Sequence, residues 1–334
     1  MKIEWNLDKA EIKRFILKEY GLEIKKVKFI PKGEVSYGYL LVSDDGKKFF
    51  AKIFPKSRIG QINAKKLDFS LQVSFELFAK CGIKNVVYPI LTKDDKLKSK
   101  FKGMPFVLFN YIEGKNEEKL DNKEIVKIAK LLGTIHRNSK RVKVKNPRIE
   151  NFKLDYKQDI MKSLKELKTV KGKDKKKLAE IVLPHYNEII DYIKNVEGLS
   201  KKVKRKDFVI CHTDPIGFNL ITTENEIFII DWDAVLIAPK EHDIWFYLRN
   251  KSFLKTYEKE FGKFKLNENV VLFYIKDRVL EDFADLLVRI LHENCSKQNK
   301  IDLFEIKDYC LRDILDKKRD DRYLKIIRDW NKHN

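Results

Sequence analysis

Apolar residues recur at intervals of two through much of the first 110 or so positions of this chain, and at helical intervals in longer stretches beyond them. Asp8 and Glu11 have the spacing of a helix-start box, and Ile12, Phe15, Ile16 and Tyr20 follow on one helical face, predicting a first helix that ends near Gly21. Strands are predicted at 24–30, 37–43 and 48–54, with the turn Asp44-Asp45-Gly46 making a hairpin of the last two. Between 67 and 77 the apolar residues alternate, which by period alone is a strand. Phe75, Phe78 and Ala79 keep helical spacing ahead of Gly82, however, and the helical reading is taken. Residues 86–91 and 105–109 read as further strands, and Asn110-Tyr111-Ile112-Glu113-Gly114 breaks the pattern as a candidate hinge. Helices are predicted at 123–136, in a lysine-rich insertion at about 150–200, and at 269–292 and 307–330.

The pattern divides the chain into a sheet-bearing part, 1–109, a hinge, 110–114, and a helical part, 115–334. A hydrophobic content of 43% with 12% aromatics belongs to a folded protein, because disordered chains are poor in such residues. The opening residues run into charge without an apolar core segment, and no apolar run approaches the roughly 20 residues that a membrane helix needs. No secretory signal, membrane association or export is expected, and a cytoplasmic, monomeric protein is. Cysteines 81, 211, 295 and 310 are scattered without a Cys-x-x-Cys pair, which argues against a zinc site and a disulfide framework.

A net charge of +21 raises the possibility of a nucleic-acid-binding protein. The densest basic segment, residues 153–177, has helical spacing and reads as a solvated helix face. Arginine supplies only 13 of the 71 basic residues, whereas base and phosphate recognition leans on its bidentate fork. No nucleic-acid partner is expected.

Chemistry concentrates in Phe208-Val209-Ile210-Cys211-His212-Thr213-Asp214-Pro215-Ile216-Gly217-Phe218-Asn219 and in Ile229-Ile230-Asp231-Trp232-Asp233. Transfer of a γ-phosphoryl group needs a carboxylate to take the hydrogen bond of the attacking hydroxyl, and hard oxygen ligands for Mg²⁺ on the nucleotide. Asp214 fits the first role. Asn219 and Asp231 fit the second, and the turn Thr223-Glu224-Asn225 lets both lie at one end of a hairpin. His212 and Asp243 are assigned support of the loop backbone, and Asp233 is a further cleft carboxylate.

These segments resemble the aminoglycoside phosphotransferases, within the protein-kinase-like superfamily that also holds choline kinases. Ile230-Asp231-Trp232-Asp233, Ala238-Pro239-Lys240-Glu241-His242-Asp243 and Arg278-Val279-Leu280-Glu281-Asp282 are most similar to the spectinomycin phosphotransferase branch. The resemblance implies an α+β, two-lobed kinase-like fold, with an N-terminal antiparallel sheet lobe carrying one main helix and a larger, mostly helical C-terminal lobe. It implies a helix over 67–77, and ATP or GTP with Mg²⁺ as donor. It implies that Lys52 pairs with the phosphates and is itself held by a carboxylate on the following helix, Asp68 or Glu76. The loop Gly33-Glu34-Val35-Ser36-Tyr37-Gly38 would cover the phosphates, with Ser36 the side-chain contact, and Phe109, Asn110 and Ile112 would bound the adenine pocket.

Acceptors in this family carry ammonium groups, so acidic residues are expected around the acceptor; Asp277, Glu281, Asp282 and Asp285 on one predicted helix are the candidates, and the resemblance favours Glu281 and Asp282. The expected activity is O-phosphorylation of an aminoglycoside or aminocyclitol such as spectinomycin. A metabolic kinase for choline, a sugar or an amino alcohol would share every catalytic residue. A protein kinase is disfavoured because Asp231-Trp232-Asp233 runs directly into Ala238-Pro239-Lys240 without a separate activation loop.

Overall fold

The computed structural model describes residues 7–31, 36–116, 119–204, 206–293 and 296–333. Asp8 starts helix α1 (Lys9–Tyr20) by accepting the Ala10 N–H, and Gly21 ends it in a left-handed conformation, φ +71°, with its N–H on the Leu17 carbonyl. Strands β1 (Ile24–Ile30), β2 (Tyr37–Ser43) and β3 (Lys48–Ile53) follow as the alternation predicts. Helix α2 (Arg58–Ala64) and helix α3 (Leu67–Ala79) come next, then β4 (Ser99–Phe101) and β5 (Met104–Asn110). The five strands form one antiparallel sheet in the order β1-β2-β3-β5-β4.

Strand β5 buries side chains on both faces of that sheet. Phe106 and Leu108 of β5 join Ile12, Ile16, Tyr39, Leu41, Ala51 and Ile53 in one cluster, while Val107 and Phe109 turn the other way against Phe54, Leu67 and Leu71. Helix α3 is apolar on more than one side, which is why its sequence also scans with a period of two. Its buried Ser70 and Ser74 satisfy their hydroxyls on the Leu67 and Leu71 carbonyls one turn back.

The segment 86–91 corrects the predicted strand. It is an extended strap with two isolated bridges, Val86 to Ile229 and Pro89 to Phe109, because Pro89 has no N–H to continue a ladder. Its main chain still bonds in both directions, from Val87 N to the Ile229 carbonyl at 3.1 Å and from Ile90 N to the Leu108 carbonyl at 2.7 Å.

Two compact units divide the chain: residues 1–149, 209–238 and 252–262 in one, and 150–208, 239–251 and 263–334 in the other. The first unit adds to the sheet helix α4 (Asn122–Asn138), started by a reciprocal Asp121–Glu124 box, and strands β6 (Val209–Cys211), β7 (Leu220–Thr222), β8 (Ile227–Ile229) and β9 (Leu236–Ala238). β6 pairs with β9, and β7 with β8 as the predicted hairpin.

The second unit is helical. Its insertion holds α5 (Lys157–Glu166), α6 (Lys173–Val182) and α7 (Tyr186–Ser200), followed by the short α8 (Glu241–Ile244). Helix α9 (Lys251–Phe261) lies mostly in the first unit. Helix α10 (Glu268–Val288) is the second unit's core, packed on α5 and α7, with α11 (Ser296–Glu305), α12 (Arg312–Leu315) and α13 (Arg319–Lys332) around it. Lys162, Lys165, Lys168, Lys173 and Lys177 are exposed, as a solvated helix face requires.

The single helix expected over 307–330 is broken. Asp316 turns extended after α12, accepts the Lys318 N–H and pairs with Arg322, which stops one helix and sets the start of the next. Among the described cysteines, 81, 211 and 310 form no disulfide. No described helix is long and apolar enough to cross a membrane.

Candidate active site

Ala51 and Ile53 point into the buried cluster beneath the sheet, so the alternation of β3 turns Lys52 to the opposite face. Gly38 stands across from it on β2, where a Cβ would come within 2.8 Å of the Phe50 ring. The Lys52 side chain is only 14% exposed, and its ammonium donates to Asp231 Oδ1 at 2.7 Å and to Asp233 Oδ2 at 3.0 Å. The predicted helix partners lie elsewhere. Asp68, its side chain 73% exposed, pairs with Lys98 at 2.7 Å, and Glu76 pairs with Lys80 at 3.0 Å.

Strand β6 delivers His212, Thr213 and Asp214. Thr213 sits at φ +80°, a costly conformation for a β-branched residue, so the surroundings dictate the path of this loop. His212 is buried edge-on to Trp232 and donates from Nε2 to the Ile230 carbonyl at 2.8 Å. Asp214 N–H approaches His212 Nδ1 at 3.4 Å. The imidazole therefore spans two segments, the loop carrying Asp214 and the strand end carrying Asp231.

Asn219 closes the loop. Its amide nitrogen donates to Asp214 Oδ2 at 2.8 Å and to the Asp214 carbonyl at 3.0 Å, and its own carbonyl accepts the Ile230 N–H at 2.9 Å. With nitrogen so engaged, the amide presents Oδ1 as its remaining ligand atom. Asp231 adopts a left-handed conformation, φ +63°, just beyond β8, and starts a tight turn over Trp232–Ala234. Its carboxylate is 47% exposed, whereas that of Asp233 is 19% exposed.

Burial alone would discharge Lys52, yet the two adjacent carboxylates hold its pKa above the ordinary lysine value. Burial works to raise Asp231 as well, and the charge of Lys52 overcomes it, keeping that group below the usual carboxylate range. At Asp233 burial prevails, reinforced by the charge of Asp231, and the pKa is raised. Two acids facing one ammonium, on a segment whose main chain bonds that of Asn219, form with the Asn219 amide oxygen a hard donor set with surplus negative charge, which fits a magnesium ion.

Ser36 is buried at the start of β2, while residues 33–35 of the expected phosphate loop lie outside the described residues. Phe109 is buried among Phe54, Leu67, Leu71 and Val107. Asn110 is tied to the strap, donating its N–H to the Tyr88 carbonyl at 3.2 Å and accepting the Tyr88 N–H on Oδ1 at 2.8 Å. Ile112, just beyond β5, is half-buried.

Sequence reasoning missed two contributors here. Asp233 was left without a task although it bonds Lys52, and Arg148 braces the turn by donating to the Asp233 carbonyl at 3.4 Å and the Val235 carbonyl at 3.3 Å. The repeated acid in Asp231-Trp232-Asp233 was the only available signal for the first.

Asp243, Glu281 and Asp282 belong to the second unit. Asp243 is fully buried in α8, and Asp282 bonds Arg278 one turn back at 3.1 Å. The more enclosed acid on α10 is Asp277, which accepts the Tyr156 hydroxyl at 2.5 Å. Burial pushes its carboxyl up to about 8, with the charges of Glu281 and Glu150 adding to the effect against the Tyr156 hydrogen bond. Between pH values of about 4 and about 8 the folded chain then holds a proton here that the unfolded chain has lost, so stability falls as pH rises through that window. Melting temperatures from pH 5 to pH 8.5 should show this decline in the unaltered protein and a shallower one in Asp277→Asn. Equal slopes would contradict it.

A lysine on an antiparallel sheet, joined by ion pairs to acids in the turn that follows a hairpin, with a mostly helical remainder, defines a kinase-like fold. Residues 26–266 match the phosphotransferase enzyme family, and the chain belongs to it as a small-molecule kinase. Among solved structures, a spectinomycin phosphotransferase in complex with ADP and spectinomycin is 21% identical, with a TM-score of 0.72 over 98% of this chain and 99% of that one. An aminoglycoside phosphotransferase from Alicyclobacillus acidocaldarius is 12% identical, with a TM-score of 0.62 over 99% of this chain and 98% of that one. A choline/ethanolamine kinase family protein from Mesorhizobium loti is 14% identical, with a TM-score of 0.60 over 91% and 93%. At these identities the likeness is one of fold. No curated protein matches the sequence significantly.

Proposed function

We propose that this kinase moves the γ-phosphoryl group of a magnesium-bound nucleotide to a hydroxyl of a cationic small molecule, an aminoglycoside or aminocyclitol such as spectinomycin. The observation that carries the reading is the gathering of Lys52, Asp214, Asn219 and Asp231 into one hydrogen-bonded neighbourhood. Lys52 would bind the phosphates. Asp214, oriented by the Asn219 amide, accepts the hydrogen bond of the acceptor hydroxyl as it attacks in line, with no covalent enzyme intermediate. Asn219 Oδ1 and Asp231 would hold magnesium, which neutralises charge on the phosphates. Ser36 would contact the phosphates, and Phe109, Asn110 and Ile112 would bound the base. His212 keeps the Asp214 loop in register with Ile230.

Two acids of the second unit, Glu281 and Asp282, support a cationic acceptor. The fold shared with a choline/ethanolamine kinase supports a second reading, phosphorylation of a metabolic amino alcohol by the same residues. Incubation with radiolabelled ATP or GTP and a panel of aminoglycosides, spectinomycin, choline, ethanolamine and sugars distinguishes the two. Label on an aminoglycoside or on spectinomycin is expected. Label on choline or ethanolamine alone would favour the second reading, and transfer to none of the panel would count against both.

A further inference from the structure

Protein kinases fix the phosphate-binding lysine with a carboxylate from the neighbouring helix, and that pair must form for activity. Here the helix does not supply it, because Asp68 on the first turn of α3 is exposed and joined to Lys98, and Glu76 is joined to Lys80. We propose that Asp233 is the positioning residue for Lys52, an inference that rests on the nucleotide-binding reading above.

Two carboxylates touch the ammonium, and they differ in what else they are placed to do. Asp231 is half exposed and is the proposed metal ligand, so in the loaded site its oxygens are shared with the cation. Asp233 is enclosed, 3.0 Å from Lys52 Nζ. It can keep the amine aimed while Asp231 serves the metal.

Its own position is set by the chain. The left-handed residue Asp231 starts the turn, Val235 N donates to the Trp232 carbonyl at 3.0 Å to close it, and Arg148 holds the Asp233 and Val235 carbonyls from outside. Helix α3 packs against the same turn, contributing shape where other kinases contribute charge. One turn thus places both the metal ligand and the lysine, and alignment of the amine does not depend on a swing of α3.

The test compares calorimetric affinities for Mg-ADP and for adenosine, which lacks phosphates, in the unaltered protein and in Asp233→Asn, Asp233→Glu and Asp68→Asn. Loss of one partner from an enclosed, hydrogen-bonded charge pair predicts that Asp233→Asn weakens Mg-ADP by about 30-fold. Adenosine affinity and melting temperature should hold, Asp233→Glu should recover part of the loss, and Asp68→Asn should bind Mg-ADP like the unaltered protein. Retained Mg-ADP affinity in Asp233→Asn, an equal loss of adenosine and Mg-ADP, or the same selective loss in Asp68→Asn would overturn the assignment. Failure of the unaltered protein to bind either ligand would instead overturn the nucleotide-binding reading itself.

Discussion

Replacing Asp214 with Asn should lower kcat by about 10²- to 10⁴-fold, the range general acid–base catalysis supplies, while leaving Mg-ADP affinity nearly unchanged. The substitution keeps the size of the side chain and an oxygen that can accept from Asn219 Nδ2, now at 2.8 Å, so the loop has no reason to collapse. What it removes is the negative oxygen that draws the acceptor's proton. Steady-state rates with the best acceptor, read beside calorimetric titration with Mg-ADP, separate the two effects. A kcat within tenfold of the original would eliminate Asp214 as the base. So would a loss of nucleotide affinity as large as the loss of rate, because that would reveal damage to the site as a whole.

Replacing Asp231 with Asn should abolish the magnesium dependence of nucleotide binding and reduce kcat by about 10²- to 10³-fold, the scale on which preorganised electrostatic stabilisation acts. Magnesium is expected to tighten ADP binding to the unaltered protein, and chelation with EDTA to reverse that gain. In the variant both responses should vanish. Lys52 keeps Asp233 as a partner, so the amine is not left buried and unpaired and the fold should persist. A variant that still responds to magnesium would show that the metal is held by other groups.

The two proposed effects draw on parts of the chain that were not equally legible. The roles suggested for Asp214, Asn219 and Asp231 came from local order: a strand, a loop of fixed length, a hairpin and a strand end. The paired strands β7 and β8 then join the backbones of Asn219 and Ile230. The contact between Lys52 and Asp233 spans 181 residues and depends on a left-handed turn at Asp231, and neither is encoded in a local pattern. A hydrophobic alternation that belonged to a buried helix suggested a strand at 67–77, and the helical spacing at its end together with the family resemblance corrected it. Pro89 reduced a predicted strand to a strap, and Asp316 cut a predicted helix. Both residues were visible in the sequence, but their effect required knowing which neighbours demanded main-chain hydrogen bonds. On α10, charge pattern offered four acids and the family resemblance favoured Glu281 and Asp282; the carboxylate of Asp282 bonds Arg278, while the enclosed Asp277 meets a tyrosine 121 residues away.

The strap at 86–91, with Asn85 before it, has a mechanical consequence. It is bonded on one side to Leu108 and Asn110 at the end of β5 and on the other to Ile227 and Ile229 of β8. The strand end proposed to face the base and the strand end proposed to face the metal are therefore clamped to a common crosspiece. If the proposed base and metal contacts hold, the gap between them gauges a nucleotide along its length rather than at either end alone.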